Sequence, residues 1–219
     1  MDALKKHLNV IEIFRSIQGE STWAGAPCTF IRLAGCNLRC EYCDTAYAFE
    51  VGRTMEIGAI LRACEPLAGS VVEITGGEPL IQKECGTLAA CLLECGATVL
   101  LETNGTEPIE HLPKEVIKIV DIKCPGSGCS EHINWSNIDH LSDNDEVKFV
   151  IGDRSDFEWS CEVVDTYRLT GLCKAVLFAP VYGKLAPDML ADWILESELP
   201  VRLQIQLQKY IWDPQTRGV

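Results

Sequence analysis

Cys36, Cys40 and Cys43 fall within the stretch AGCNLRCEYCDTAYAFE, a C-x3-C-x2-C cluster followed at once by Asp44 and Thr45. Three thiolates in one loop make a soft-metal site. A closed structural zinc site takes four ligands. His7, His111, His132 and His140 offer no ligand pair, so only a distant fourth cysteine could complete one. Three cysteines suit a [4Fe–4S] cluster that keeps one iron open to an outside ligand. The spacing favours that cluster and leaves zinc or inert packing as alternatives.

The elements that must position this loop can be read from the hydrophobic pattern. Apolar runs rich in Val, Ile and Leu recur as CTFIRLAG, SVVEITGG, ATVLLETNG, VIKIVDIK, DEVKFVIG, KAVLFAPV and VRLQIQLQ. Helical patterns such as MEIGAILRACEPL, KECGTLAACLLECG, SDFEWSCEVVDTYRLTG and PDMLADWILES lie between several of them. Strand alternating with helix predicts an α/β fold built on parallel βαβ units. In VRLQIQLQ, strict alternation predicts a strand with Val201, Leu203, Ile205 and Leu207 on one face and Arg202, Gln204, Gln206 and Gln208 on the other. A polar row fits the inner face of a barrel or partial barrel, with a solvated edge strand as the alternative. Glu73, Thr75, Glu102 and Lys148 interrupt other strands and favour a lined cavity.

Composition narrows the class. The 219 residues are 47% hydrophobic, enough for one domain with a substantial core, and no linker or repeat divides residues 1–219. A net charge of −13 repels phosphate backbones and anionic lipid, so neither nucleic acid nor membrane is expected as a partner. MDALKKHLNVIEIF does not read as a signal peptide and no run is long enough to span a bilayer, which predicts a cytoplasmic protein. Twelve cysteines are then not a disulfide framework. Most outside the cluster, Cys64, Cys91, Cys95 and Cys173 among them, are expected to be small buried hydrophobes.

The cysteine spacing resembles the radical S-adenosylmethionine (radical SAM) superfamily, and TGGEP at 75–79, following a predicted strand, resembles that family's glycine motif. The resemblance implies a partial, modified (βα)6 TIM-like barrel in which the open iron is chelated by SAM. The wider match is more specific. IFRSIQGEST, CTFIRLAGCNLRCEYCDTAYA, EITGGEPL, ETNGT, DIKCPGSG, VKFVIGD and the tail LQIQLQKYIW…RGV resemble, in order, the 7-carboxy-7-deazaguanine synthase family. That implies a lyase acting on 6-carboxy-5,6,7,8-tetrahydropterin with a [4Fe–4S] cluster, SAM and Mg2+, in the route to queuosine and other deazapurines.

Carried over residue by residue, the resemblance gives the cluster to Cys36, Cys40 and Cys43 and the magnesium to Thr45. Asp44 competes as a ligand on chemical grounds, since a carboxylate ordinarily outcompetes a hydroxyl for a hard cation. The resemblance places SAM against Tyr42, Asp44, Gly77, Glu78, Asp121, Ile122, Lys123 and the turn Phe178, Ala179, Pro180 and Val181. The pterin falls to Ile17, Gln18, Gly19, Glu20, Arg32, Thr75, Gln206 and the terminal carboxylate of Val219. Within that set Arg32 grips the substrate carboxylate with its planar fork. Its bland alternative is an exterior salt bridge. The tail departs from the family's frequent Q-x-H-K by carrying Gln208 in place of histidine, which removes a group able to titrate near neutrality. The family further implies a flavodoxin or ferredoxin as electron donor, and a homodimer. A glycyl-radical activating enzyme shares the cysteine spacing, but Arg32, the SIQGE loop and the glutamines suit a small polar heterocycle better than a protein partner.

Overall fold

Nine strands join one sheet in the computed structural model, which describes residues 2–219. A long first strand, β1 (His7–Ile17), pairs antiparallel with β2 (Pro27–Leu33) and, at its start, with β3 (Arg53–Glu56). From β2 the sheet continues in parallel through β4 (Val71–Gly76), β5 (Thr98–Thr103), β6 (Ile117–Ile122), β7 (Glu146–Ile151) and β8 (Ala175–Pro180) to β9 (Arg202–Leu203). Six full parallel strands make the expected α/β partial barrel. It stays open, because β3 and β9 are edges that do not pair with each other.

Alternation along the strands separates the two faces. Ile31, Leu33, Val72, Ile74, Leu101, Val120, Val147, Phe149 and Val176 belong to one continuous apolar core. That core also takes in Ile57 and Ile60 of α1 (Ile57–Ala63), Leu88 and Leu92 of α2 (Cys85–Glu94), Phe157 and Val164 of α3 (Arg154–Thr166) and Leu190 of α4 (Pro187–Ser197). The intervening residues point the other way and are polar: Arg32, Glu73, Thr75, Glu102, Asp121 and Lys148 all line a single cavity. The links from β5 to β6 and from β6 to β7 contain no α-helix and run instead through irregular chain and short 3-10 turns.

The runs read from the sequence include neither β1 nor β3, and the last of them is not the strand expected. β1 escapes a simple alternation because its register shifts between Val10 and Glu12. Leu8 and Val10 enter the core before that bulge, whereas Glu12 bonds to Arg32 and Phe14 lines the cavity after it. One inserted residue exchanges the faces of everything beyond it. The expected strand VRLQIQLQ shrinks to Arg202–Leu203; Leu203 is 41% exposed while Gln204 is buried, and Gln208 already begins α5 (Gln208–Ile211). Among the cysteines, Cys64, Cys91 and Cys173 are buried as expected, but Cys95 at the end of α2 is exposed. All twelve are free thiols. No helix among the described residues is long and apolar enough to cross a membrane.

Candidate active site

The cavity, of about 510 Å³, opens where the parallel strands end. The cysteine loop forms one wall, directly after β2. Gly35 N–H donates to Ala48 O at 2.7 Å, Glu78 N–H to Gly35 O at 2.9 Å, and Glu41 N–H to Ser127 O at 3.1 Å, so neighbouring loops hold it on three sides. Asn104, just past β5, donates from Nδ2 to Asn37 Oδ1 at 3.1 Å. Gly77 is required for packing: a Cβ there would overlap Gly35 O, so the glycine motif brings the end of β4 against the cysteine loop as well as lining the cavity.

Cys36, Cys40 and Cys43 all face this cavity, the first two half-buried and the third exposed. Among the described residues no three Cys, His, Asp or Glu side chains are already arranged to hold a metal ion, and Cys40 interacts with the Cys129 thiol. Burial pushes the Cys40 thiol up to about 12 and raises Cys36 too, so these two stay protonated thiols until a metal takes them. Three free thiols on one cavity wall, with no imidazole lining it, fit an iron–sulfur cluster by donor chemistry. For a hard cation the oxygens of Thr45 and Asp44 stand together, Thr45 Oγ1 donating to Asp44 Oδ1 at 2.9 Å. The other Asp44 oxygen accepts from Lys209 Nζ at 2.8 Å and Gln206 Nε2 at 3.2 Å. Burial alone would raise the Asp44 carboxyl, but the Lys209 ammonium and these hydrogen bonds bring it down to about 2.

The opposite wall holds a buried ionic cluster. Lys148 of β7 pairs with Glu102 of β5, with Glu20 at 2.9 Å and with Asp121 of β6 at 3.6 Å. Glu20 also accepts from Gln204 Nε2 at 3.1 Å, Gln206 Nε2 at 2.9 Å and Gln208 Nε2 at 3.2 Å. The glutamines therefore do converge, though as an irregular tail wrapped around one carboxylate instead of a strand face. Burial works against ionising Glu20, yet Lys148 and Gln206 hold its carboxyl below the usual range. Burial disfavours the Lys148 ammonium, and Glu102, Glu20 and Asp121 more than reverse that. Lys123 completes the set at 2.8 Å from Asp121 Oδ2, while Asp121 Oδ1 is buried with no partner.

Arg32 lies inside the cavity, not on the barrel exterior. Its Nε donates to Glu12 Oε1 at 2.8 Å, an oxygen that also accepts from Tyr47 OH at 2.8 Å. The guanidinium sits over the Phe14 and Tyr47 rings. Neither Nη makes a protein hydrogen bond among the described residues, so the outer fork is free for an anion. Tyr42 reaches across the cavity to Val150 O at 3.0 Å.

Most of the expected site residues meet here: Ile17, Gln18, Gly19, Thr75, Val181 and Val219 also line the cavity. Five do not. Glu78 is fully buried, accepting from Leu80 N–H and Thr103 Oγ1 at 2.9 Å each and from Asn104 N–H at 2.6 Å, so its carboxylate ties β4 to β5 behind the cavity. Ile122 and Phe178 point into the apolar core, where Phe178 packs edge-on against Phe149 and Phe157. Ala179 and Pro180 are buried within β8. Gln18 is present but already engaged: its Nε2 donates to Glu73, and its Oε1 accepts from Glu20 N–H at 2.9 Å. Glu73, Glu102 and Lys148, legible in the sequence only as polar interruptions of strands, belong to the site. Lys209 and Glu12 gave no such signal.

Residues 30–194 match the Radical SAM superfamily, the class to which this fold belongs. The chain is 43% identical to the 7-carboxy-7-deazaguanine synthase of Koribacter versatilis over 97% of its own length and all of that protein. It is 44% identical to that of Chlorobaculum tepidum, over 97% of each. The chain belongs to the 7-carboxy-7-deazaguanine synthase family. Its fold is similar to that of QueE from Escherichia coli, with a TM-score of 0.74 at 22% identity over 91% of this chain and 94% of the other.

Proposed function

We propose that this chain is a lyase of queuosine and deazapurine biosynthesis that converts 6-carboxy-5,6,7,8-tetrahydropterin to 7-carboxy-7-deazaguanine with loss of ammonia. The observation that carries this reading is one cavity joining a three-thiol wall to a wall of ordered carboxylates, with the free fork of Arg32 beside them. A [4Fe–4S] cluster, SAM and Mg2+ are its cofactors, and bound together they would supply one-electron reduction, radical hydrogen abstraction and a counter-charge for the substrate carboxylate.

The chain's own residues hold, orient and enclose. Cys36, Cys40 and Cys43 hold the cluster, and Thr45, with Asp44 beside it, faces the magnesium. Tyr42, Gly77, Asp121, Lys123 and Val181 lie on the SAM side. Arg32 directs its two Nη donors at the substrate carboxylate. The oxygens of Glu20, held ionised by Lys148, accept from the heterocycle's N–H groups in a place where water is largely excluded. Gly19, Thr75, Gln206 and Val219 close around the pterin. Flavodoxin or ferredoxin as electron donor, a homodimer, a cytoplasmic location and a single domain over 1–219 complete the reading.

Anaerobic reconstitution tests it. With cluster, reductant, SAM, Mg2+ and the carboxytetrahydropterin, the expected product is 7-carboxy-7-deazaguanine, identified by mass and ultraviolet absorbance. SAM cleavage by an intact cluster without that product would overturn the substrate assignment. Stoichiometric zinc without iron after anaerobic purification would overturn the whole reading.

A further inference from the structure

Glu73 is a buried acid, 3% exposed, at the floor of the cavity, and nothing described so far uses it. Its Oε2 accepts from Gln18 Nε2. An amide nitrogen can only donate, so Oε2 acts as an acceptor; the carbonyl oxygen of a carboxylic acid accepts better than its hydroxyl, which favours a proton on Oε1. Oε1 makes no hydrogen bond to protein among the described residues, nor is it sealed away from the cavity. The charged and titratable groups facing it are Glu102 of β5, Glu20 of the β1–β2 loop, Lys148 of β7, and Arg32 and Cys28 of β2. Neither cation pairs with it: Lys148 is held by Glu20, Glu102 and Asp121, and Arg32 gives its Nε to Glu12. Two acidic neighbours and no ion pair of its own leave Glu73 as the carboxyl in this cavity that is best kept neutral. Burial pushes it well above the ordinary carboxylate range, and Glu102 and Glu20 add to the rise.

From this geometry we propose that Glu73 stands as a neutral carboxylic acid whose Oε1–H donates to an acceptor of the bound heterocycle, its ring carbonyl. The inference rests on the pterin reading above. It gives the cavity a donor beside the acceptor oxygens of Glu20, to which Gln18 links it, so that both the N–H and the C=O of a lactam edge are met without burying a further net charge.

The test uses cluster-loaded enzyme with SAM and Mg2+ but no reductant, so that nothing turns over. Fluorescent 6-carboxypterin is titrated into wild type, Glu73→Gln and Glu73→Ala, with thermal unfolding followed alongside. Glutamine reproduces a neutral acid, since its oxygen accepts from Gln18 and its NH2 donates into the cavity. Glu73→Gln is therefore expected to bind within about threefold of wild type, and Glu73→Ala about tenfold or more weaker. Equal weakening of both variants would overturn the neutral donor, because an ionised Glu73 accepting from ring N–H cannot be replaced by an NH2. Unchanged binding in both would remove Glu73 from the ligand altogether. If wild type bound SAM but no pterin, the substrate reading itself would fall and this proposal with it. Should the alanine variant not fold, the glutamine variant against wild type still decides between donor and acceptor.

Discussion

Lys209 Nζ stands 2.8 Å from Asp44 Oδ2, joining the C-terminal segment to the residue directly after the third cysteine. A side-chain ammonium thus occupies the carboxylate nearest the oxygen of Thr45. Around it Gln206 and Gln208 tie the same segment to Glu20, so one short tail touches both walls of the cavity.

If the Lys209 ammonium competes with a divalent cation for Asp44, Lys209→Met should lower the Mg2+ concentration for half-maximal turnover. Asp44 is 48% exposed, so screening limits the effect to a few-fold. A magnesium titration at saturating substrate measures it, and an unchanged midpoint would refute the competition.

Arg32→Ala should raise the KM for the pterin about 10- to 100-fold, as expected for loss of about 1.5–3 kcal/mol from a charged hydrogen-bonded contact. Arg32→Lys should recover only part, since an ammonium cannot reproduce the fork that bridges Glu12 and a substrate carboxylate. Steady-state kinetics with SAM saturating separates the two variants.

A Cβ on Gly19 would overlap Gln208 Oε1, so Gly19→Ala should push that side chain off Glu20 and weaken pterin binding. Adding Gln208→Ala removes the obstacle. The double variant should then bind better than the effects of the two single changes predict together, a coupling that a double-mutant cycle reads directly.

Cys64 is buried in the core away from the cavity, so Cys64→Ser should keep turnover per folded molecule while lowering stability by about 1 kcal/mol or more. Serine at Cys36, Cys40 or Cys43 should abolish iron binding and turnover together. Iron content and melting temperature tell the two classes apart.

Glu78 sets a pH dependence of stability. Burial pushes its carboxyl up to about 7 from an unfolded value near 4.5, although Asn104, Leu80 and Thr103 donate to the ionised form. A raised acid binds more protons folded than unfolded across that window, so its contribution falls as pH rises from about 4.5 to about 7 and is flat above. Glu78→Gln should flatten this slope in denaturant unfolding while lowering stability overall, since an amide cannot accept at both ends. A wild-type slope carried through unchanged would refute the assignment.

The cysteine triplet, the glycine motif and the βαβ alternation are local facts, and residue types and spacing were enough for them. The polar interruptions Glu73, Glu102 and Lys148 announced a lined cavity for the same reason: a charged group on a buried strand needs partners. What the chain's order could not express was which partner. The face exchange in β1 turns on a single bulge, set by pairing with β2 rather than by the alternation of β1 itself. The glutamine tail alternates like a strand, yet its residues are placed by Glu20 and Gly19, nearly the whole chain away. Ile122 and Phe178 carry no mark in the sequence separating a cavity wall from a core, because that depends on which side of the sheet the helices cover. Sequence determined the chemistry available to this protein. Tertiary structure decided which carboxylates stay charged, because ionisation in a buried site depends on neighbours that only folding brings within a few ångströms.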